Sequence, residues 1–234
     1  MNIETCIQEV EKKIGYSFKQ KELLKQAITH SSFINELKIN KWDSYQRLEY
    51  LGDAVLELSI SEYLFHQYPD MSEGKMSKMR ASMVCEQALA FCAKDIDLGS
   101  FILLGKGEES GGGRERNSII SDVFEAIVGA IYIDGGFEVA KNFVSKFLLD
   151  DIGERQLFVD SKSILQEMVQ AKTHSKLNYK LLEERGPEHN KEFEVAVYID
   201  DECMATASGH NKKDAEQKAA YSALKKLRAL QEEA

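Results

Sequence analysis

Proline is almost absent from this sequence, which holds 2 prolines against 15 glycines in 234 residues. Because proline interrupts helices, its scarcity favours a helix-rich fold with few rigid linkers. The sequence also lacks the roughly 18 to 20 unbroken apolar residues of a membrane span. Its first residues, MNIETCIQEVEKK, carry acids and lysines where a signal peptide has an apolar core. We therefore expect a protein that acts in the cytoplasm and not in a membrane.

Cysteine is scarce as well. The four cysteines, Cys6, Cys85, Cys92 and Cys203, are scattered along the chain, and no two of them form a CxxC pair. The five histidines are not spaced with the cysteines, which disfavours a zinc site. The simplest interpretation is a set of buried, reduced thiols.

Positive charge is in deficit, with 30 lysines and arginines against 39 acids and a net charge of −9. Taken alone, this balance argues against a nucleic-acid partner, because phosphate binding requires lysine and arginine. The deficit is uneven, however. The sequence has 18 basic and 25 acidic residues before residue 160, and 12 basic and 14 acidic residues from residue 160 on. The function of the acids in the first part therefore has to be explained.

The apolar residues of 1–150 recur mostly at helical spacing, which predicts an all-α domain. Within it we expect one helix over 72–94 with Ser72 as its N-cap, and a second helix over 118–133 that is apolar on most sides and lies deep in the core. Five glycines in 105–117 predict a loop without regular structure.

The pattern changes after residue 150. Residues 151–159 have no clear period and are interpreted as a linker. Residues 160–230 then show a helix over 161–171, alternating apolar and polar stretches, and a final helix from residue 212 that Asn211 caps. The order α-β-β-β-α predicts a small α+β C-terminal domain after the all-α N-terminal one.

Two pairs of acids are spaced to share a helix face. Glu49 and Asp53 are four residues apart, and Asp122 and Glu125 are three apart inside the apolar stretch SIISDVFEAIVGAIYI. Gly52 removes a side chain at a point where another backbone could approach. A solvated acidic face is the usual explanation of such spacing, but an acid within an apolar run is expected to be partly buried and to need compensation.

Electrostatics suggests what that compensation is. Two carboxylates ~4 Å apart repel by about 4 kcal/mol at an effective dielectric near 20. Oxygen-only ligand sets suit Mg²⁺ or Mn²⁺, and two such ions can hold both the attacking and the leaving oxygen of a phosphodiester. This hypothesis requires the two helices to meet, which the spacing alone does not establish.

Several segments resemble bacterial ribonuclease III in the order that this family has them. In the first part they are QRLEYLGDAVLEL, SEGKMSKMRASMV and SIISDVFEAIVGAIYID. Three segments in residues 160–230 resemble a double-stranded-RNA-binding domain, namely KSILQEMVQ, GPEHNKEFEV and KKDAEQKAA. The resemblance covers essentially the whole chain.

The resemblance implies an all-helical endonuclease domain that forms a homodimer with a cleft along its interface. It implies Mg²⁺-dependent hydrolysis of both strands of double-stranded RNA, with Mn²⁺ as a plausible substitute. The products would carry 5′-phosphate and 3′-hydroxyl ends, and ribosomal RNA precursors and other structured transcripts would be substrates. One position departs from the family, which often has a glutamate where this sequence has Gln46.

The resemblance also assigns roles to individual acids. By motif match Glu49, Asp122 and Glu125 are metal ligands. Asp53 belongs to the same catalytic cluster, either as a ligand or as the group that orients the attacking water. Glu73, in SEGKM, matches a less central acid of the cleft. Because no histidine or cysteine lies near these acids in the sequence, we expect water, activated by the metal, to be the nucleophile.

RNA duplexes are bound by shape, through phosphates and 2′-hydroxyls. In the C-terminal domain the first helix could supply Gln166 and Glu167 for contacts with the duplex. His189, a loop residue in GPEHN, matches a residue of the family that makes such a contact. Lysines at the start of the last helix could meet phosphate, although a lysine-rich start can also serve solubility alone. The expected RNA-binding residues are Gln166, His189, Lys212, Lys213 and Lys218.

Two other functions remain as alternatives to the double-strand-specific endoribonuclease. The first is a non-catalytic module that binds duplex RNA, which would have no need to hold repelling acids together. The second is a metal-dependent phosphohydrolase of small nucleotides, which would leave the tail unexplained.

Overall fold

The computed structural model describes residues 3–38, 40–150, 157–158, 161–171, 175–186, 191–209 and 211–232. The chain divides into two compact units, residues 1–152 and 153–234. Each unit has its own cluster of buried apolar side chains. The first unit is mostly helical and the second has the order α-β-β-β-α, so the predicted fold class is confirmed.

The described part of the first unit consists of α-helices with short 3₁₀ turns between them and a π-helical turn, Ser145–Leu149, at its end. The helices are α1 (Ile3–Ile14), α2 (Lys21–Ala27), α3 (Ser31–Leu37), α4 (Gln46–Gln67), α5 (Glu73–Met83), α6 (Glu86–Asp95), α7 (Lys106–Ser110), α8 (Asn117–Gly135) and α9 (Phe137–Val144). The predicted core helix over 118–133 is confirmed as α8, whose buried residues face several directions around its axis.

The single helix expected over 72–94 was wrong, because the chain leaves the helix between α5 and α6. Cys85 has an extended backbone, with φ −71° and ψ 157°. The hydroxyl of Ser82 donates to the carbonyl of Met79, a local bond of the kind that competes with helix propagation, and the β-branched Val84 has a weak helix propensity. The apolar period continues across the break, so periodicity alone does not reveal it.

The unstructured loop expected over 105–117 was also wrong. It contains α7 and a 3₁₀ turn, Gly113–Glu115. Arg114 pairs with Glu109, and Arg116 pairs with Glu108. These ion pairs and the three main-chain carbonyls bound by Arg114 hold the segment in place despite its glycines.

Helices α4 and α8 cross with their backbones almost in contact. A Cβ atom on Gly52 would lie 1.8 Å from the carbonyl oxygen of Glu125, and a Cβ on Gly129 would lie 2.2 Å from the carbonyl oxygen of Leu48. Only glycine fits at both positions, so the close approach that the sequence suggested for Gly52 is confirmed. This crossing brings the two acid-bearing helices together.

In the second unit the last helix packs on a three-stranded antiparallel sheet with the order β1-β2-β3, and the first helix packs against the last one. Its elements are α10 (Ser161–Ala171), β1 (Leu177–Arg185), β2 (Glu192–Ile199), β3 (Glu202–Gly209) and α11 (Lys212–Glu232). Helix α11 buries Ala215, Ala219 and Ala223 against the sheet. The side chain of Asn211 accepts the N–H of Asp214 at 2.9 Å, which confirms the predicted cap.

Residues 151–156 and 159, which belong to the linker expected over 151–159, lie outside the described residues. Leu157 and Phe158, within the same range, are helical. Leu157 is buried in the core of the second unit, and Phe158 packs on Tyr221 with ring centroids 5.3 Å apart. The domain boundaries 1–150 and 160–230 therefore stay predictions.

The cysteines at positions 6 and 92 are buried as expected, whereas Cys85 is partly buried and Cys203 is exposed. None of the helices in the described part of the chain combines the length and the apolar character that a membrane crossing requires.

Candidate active site

The first acid pair lies at the start of α4. Glu49 is in the first turn, where its N–H donates to the carbonyl of Tyr45 at 2.9 Å. Asp53 follows one turn later, with its side chain exposed. The second pair, Asp122 and Glu125, is half-buried in α8. Because α4 and α8 touch through their glycines, both pairs lie near the same helix crossing and interact electrostatically.

The carboxylates of the two pairs act on one another electrostatically. Burial and the charges of Asp122 and Asp53 raise the pKa of Glu49 to about 7. Burial and the charges of Asp53, Asp122 and Glu49 raise the pKa of Glu125 to about 8. The negative charges of Asp53 and Asp122 thus act on both Glu49 and Glu125, although these two acids lie on different helices.

Asp122 differs from the other acids because it has a hydrogen-bond donor. Burial raises its pKa, and so does the charge of Glu86, while a hydrogen bond from Tyr45 and the nearby His30 oppose the rise. The hydroxyl of Tyr45 donates to Oδ2 of Asp122 at 3.1 Å. The sequence alone did not indicate this contact of Tyr45. It joins residues 77 positions apart, and no local pattern signals it.

His30 has a structural role at the start of α3. Its Nδ1 accepts the N–H of Ser32 at 3.1 Å and so caps α3. Its ring lies 5.6 Å from the ring of Tyr45, centroid to centroid. Burial is the main cause that lowers the pKa of His30, although Asp122 and Glu108 oppose it.

The donor chemistry of this cluster fits a hard divalent cation. Within the described residues, no lysine or arginine forms an ion pair with any of the four carboxylates, so their mutual repulsion is not relieved by a neighbouring cationic side chain. All four offer oxygen, the donor that Mg²⁺ and Mn²⁺ prefer. Among the residues that the structure describes, however, no three acidic, histidine or cysteine side chains converge closely enough to form a ready metal site.

Glu73 lies at the exposed first turn of α5 and accepts a hydrogen bond from Ser77 at 2.8 Å. Its charge is not among those that raise the pKa values of Glu49, Asp122 and Glu125. The structure therefore does not bring Glu73 into the cluster.

Gln46, the position that departs from the family, is exposed at the start of α4. It lines an open pocket of about 710 Å³ that contains none of the four acids. The pocket is lined by Trp42, Ser44, Gln46, Arg47, Tyr50 and Leu51.

The expected RNA-binding residues lie on both helices of the second unit. Gln166 is exposed on α10, and Lys212 and Lys213 are exposed in the first turn of α11. Lys218 is less available, because its ammonium pairs with Asp214 at 2.8 Å and also donates to a main-chain carbonyl. His189 lies outside the described residues.

Comparison with known families matches each unit separately. The profile described as "Ribonuclease-III-like" matches residues 20–152, and the profile described as "Double-stranded RNA binding motif" matches residues 161–227. The fold and the acid cluster therefore define a nuclease joined to a double-stranded-RNA-binding domain.

Similar proteins agree over nearly the full length. Proteins named "Ribonuclease 3" from Bacillus cereus (strain AH187) and Bacillus anthracis (strain CDC 684 / NRRL 3495) are 46% identical over 220 residues, which span 93% of this chain and 90% of theirs. The chain belongs to the ribonuclease III family and is an endonuclease of that type.

A solved structure covers the first unit. The nuclease domain of ribonuclease III from Campylobacter jejuni, described for structural flexibility in a region involved in dimer formation, is 44% identical to this chain. It matches with a TM-score of 0.58 and covers 62% of this chain and 97% of that one.

Proposed function

We propose that this protein is a Mg²⁺-dependent endoribonuclease that hydrolyses phosphodiesters in both strands of double-stranded RNA. The products carry 5′-phosphate and 3′-hydroxyl ends, and the substrates include ribosomal RNA precursors and other structured transcripts. The observation that carries this proposal is the electrostatic coupling of Glu49, Asp53, Asp122 and Glu125 across two helices whose backbones touch. Such coupling is unfavourable for folding unless it serves a cation.

In the proposed site Glu49, Asp122 and Glu125 hold the metal. Bound through their oxygens, Mg²⁺ supplies the positive charge that lowers the pKa of water and stabilises charge developing on phosphate oxygens. Asp53 is exposed next to the half-buried acids, so it either completes the ligand set or orients the attacking water. Helices α4 and α8 hold the main chain of the two pairs in place, and the acidic side chains would have to converge further when the cation binds.

The second unit supplies the affinity for the duplex. Gln166 on α10 contacts the minor groove, and Lys212 and Lys213 at the start of α11 meet the phosphates, where the helix dipole also favours negative charge. We retain His189 as a minor-groove contact on the strength of the family motif. Lys218 joins them by exchanging its ion pair with Asp214 for a phosphate.

We further propose that the nuclease unit forms a homodimer through α4. Three large apolar side chains of this helix are exposed at seven- and eight-residue spacing, Tyr50 at 82%, Leu58 at 56% and Phe65 at 66%. Exposed apolar side chains along one helix face favour association. The similar domain from Campylobacter jejuni has a region involved in dimer formation, which supports dimerisation of this unit.

The dimer is tested by sedimentation of Leu58→Glu, which we expect to shift the protein to a monomer. Leu182→Glu is the matched control, because Leu182 is 49% exposed on β1 of the other unit. If Leu58→Glu sediments as the wild type does, α4 is not the interface.

The catalytic proposal is tested with labelled duplex RNA, wild-type protein and Glu125→Gln, with Mg²⁺ and with EDTA. We expect the variant to bind the duplex while its cleavage rate falls by at least about a hundredfold, the loss typical when a charge-stabilising group is removed. The control is Glu138→Gln, an exposed acid of α9, which should cleave normally.

Three other outcomes would contradict the proposal. Wild-type protein that binds the duplex but never cuts it would be a binding module. Hydrolysis of small nucleotides without cleavage of the duplex would indicate a phosphohydrolase. Full activity in EDTA would exclude the metal.

A further inference from the structure

Tyr45 contacts both acidic helices. Its main-chain carbonyl accepts the N–H groups of Leu48 at 2.8 Å and Glu49 at 2.9 Å, and so forms the start of α4. Its hydroxyl donates to Oδ2 of Asp122, on α8, at 3.1 Å. A single residue therefore joins one acid of each pair, one through the main chain and one through the side chain.

The position of Tyr45 is fixed from several directions. Its side chain is buried, with 4% exposed. Its own N–H donates to the carbonyl of Thr29 at 2.9 Å, and its ring packs against the ring of His30. A buried hydroxyl anchored at both the main chain and the ring has little freedom to move away from Asp122.

We propose that Tyr45 is a positioning residue, whose hydroxyl holds the Asp122 carboxylate in the orientation in which it meets a divalent cation. A carboxylate has about four lone-pair sites, so a donor on one oxygen leaves others for a cation. Groups that orient metal ligands in this way typically contribute roughly 10- to 100-fold to metal affinity or activity. This inference rests on the proposed function, because it assumes that Asp122 binds the metal.

The test measures Mn²⁺ binding directly, by the electron paramagnetic resonance signal of the free ion, in the full-length protein without RNA. We expect Tyr45→Phe to weaken Mn²⁺ binding by roughly tenfold, while the unfolding temperature of the metal-free protein stays within a few degrees of the wild type. Cleavage at saturating metal should largely recover, since the ligands themselves remain. Tyr63→Phe, further along α4, is the matched control and should bind Mn²⁺ as the wild type does.

If Tyr45→Phe does not fold, 4-fluorophenylalanine at position 45 replaces it, because fluorine fills the place of the hydroxyl without a proton to donate. Mn²⁺ affinity within twofold of the wild type in either protein overturns the inference. A wild type that binds no Mn²⁺, or binds it equally well as Glu125→Gln, overturns instead the proposed function. The two failures are therefore distinguishable.

Discussion

At the scale of the residue, the buried acids of the first unit differ in the partners that their neighbours provide. Asp134 accepts the hydroxyl of Tyr16 at 2.7 Å and the N–H groups of Lys19 and Gln20 at 2.9 Å. Burial favours its neutral form, but these three hydrogen bonds outweigh burial and lower its pKa. Glu125 has a raised pKa because burial and like charges act together. The first arrangement stabilises the fold, and the second costs stability that a cation can restore.

Asp134→Asn should destabilise the protein by about 2 kcal/mol near pH 7, because hydrogen bonds to a charged acceptor are stronger than those to a neutral one. A carboxyl whose folded pKa is lowered contributes stability above its unfolded pKa and loses it as the pH falls through the folded pKa. The difference between wild type and variant should therefore shrink below about pH 4. Urea unfolding at pH 7 and pH 3 measures both.

The control for Asp134 is Asp70→Asn, since Asp70 is an exposed acid. Its free energy of unfolding should match the wild type at both pH values. A loss in Asp134→Asn that is equal at pH 7 and pH 3 would mean that the charge of Asp134 contributes nothing.

At the scale of the element, the crossing of α4 and α8 determines where the acids meet. The sequence correctly predicted both helices, the acid spacing and the close approach at Gly52, because these are local patterns. It did not indicate Gly129, whose neighbour Leu48 lies far away in the chain. Nor did it predict the break at Cys85, where side-chain hydrogen bonds end a helix although the apolar period continues.

The same limit applies to the candidate site. The four acids could be named from their spacing and from the family motif, but the partner of Asp122 could not. Tyr45 contacts Asp122 only because α4 packs against α8. The sequence of one helix does not reveal which other helix it packs against. Residues 105–117 were wrongly predicted to lack regular structure for a related reason. Their glycine content does not reveal the ion pairs of Arg114 and Arg116 that hold the segment in place.

Gly52→Ala should lower the free energy of unfolding by about 1–3 kcal/mol or more, because its methyl group would overlap the carbonyl of Glu125 at 1.8 Å. Separation of the helices should also reduce cleavage. Gly74→Ala is the matched control, because Gly74 lies in α5 with nothing within 4 Å of the added atom. Alanine there should stabilise the helix by roughly 0.5–1 kcal/mol.

Thermal unfolding of both glycine variants distinguishes overlap from helix propensity. If Gly52→Ala were as stable as Gly74→Ala, the two backbones would not be in contact.

At the scale of the whole molecule, most of the excess of acids lies before residue 160, whereas the double-stranded-RNA-binding motif lies after it. The acid cluster belongs to the unit of residues 1–152, and the exposed lysines at the start of α11 belong to the unit of residues 153–234. A net charge of −9 therefore does not exclude RNA binding, because most of the acid excess lies outside the sequence that matches the RNA-binding motif.

Joint replacement of Lys212 and Lys213 by alanine should weaken duplex binding and lower the slope of log affinity against log salt by about 1.5, since each phosphate that a lysine neutralises adds roughly 0.7–0.9 to that slope. The cleavage rate at saturating RNA should not change. Joint replacement of Lys225 and Lys226, exposed near the other end of α11, is a control that removes the same charge.

Binding titrations at several salt concentrations measure both lysine variants. Equal losses of affinity in the two would mean that net charge, and not the start of α11, governs binding. An unchanged affinity after replacement of Lys212 and Lys213 would exclude this helix start as the docking site.

The contact between Gly52 and Gly129 has one more consequence. Main-chain atoms have no alternative rotamers, so their contact sets a minimum spacing between α4 and α8 that repacking of the surrounding core cannot reduce. Smaller apolar side chains in the core should therefore not bring the acids of the two helices closer together. Bringing these carboxylates closer together would require a change in the acids themselves, because the two glycines already allow the helices their closest approach.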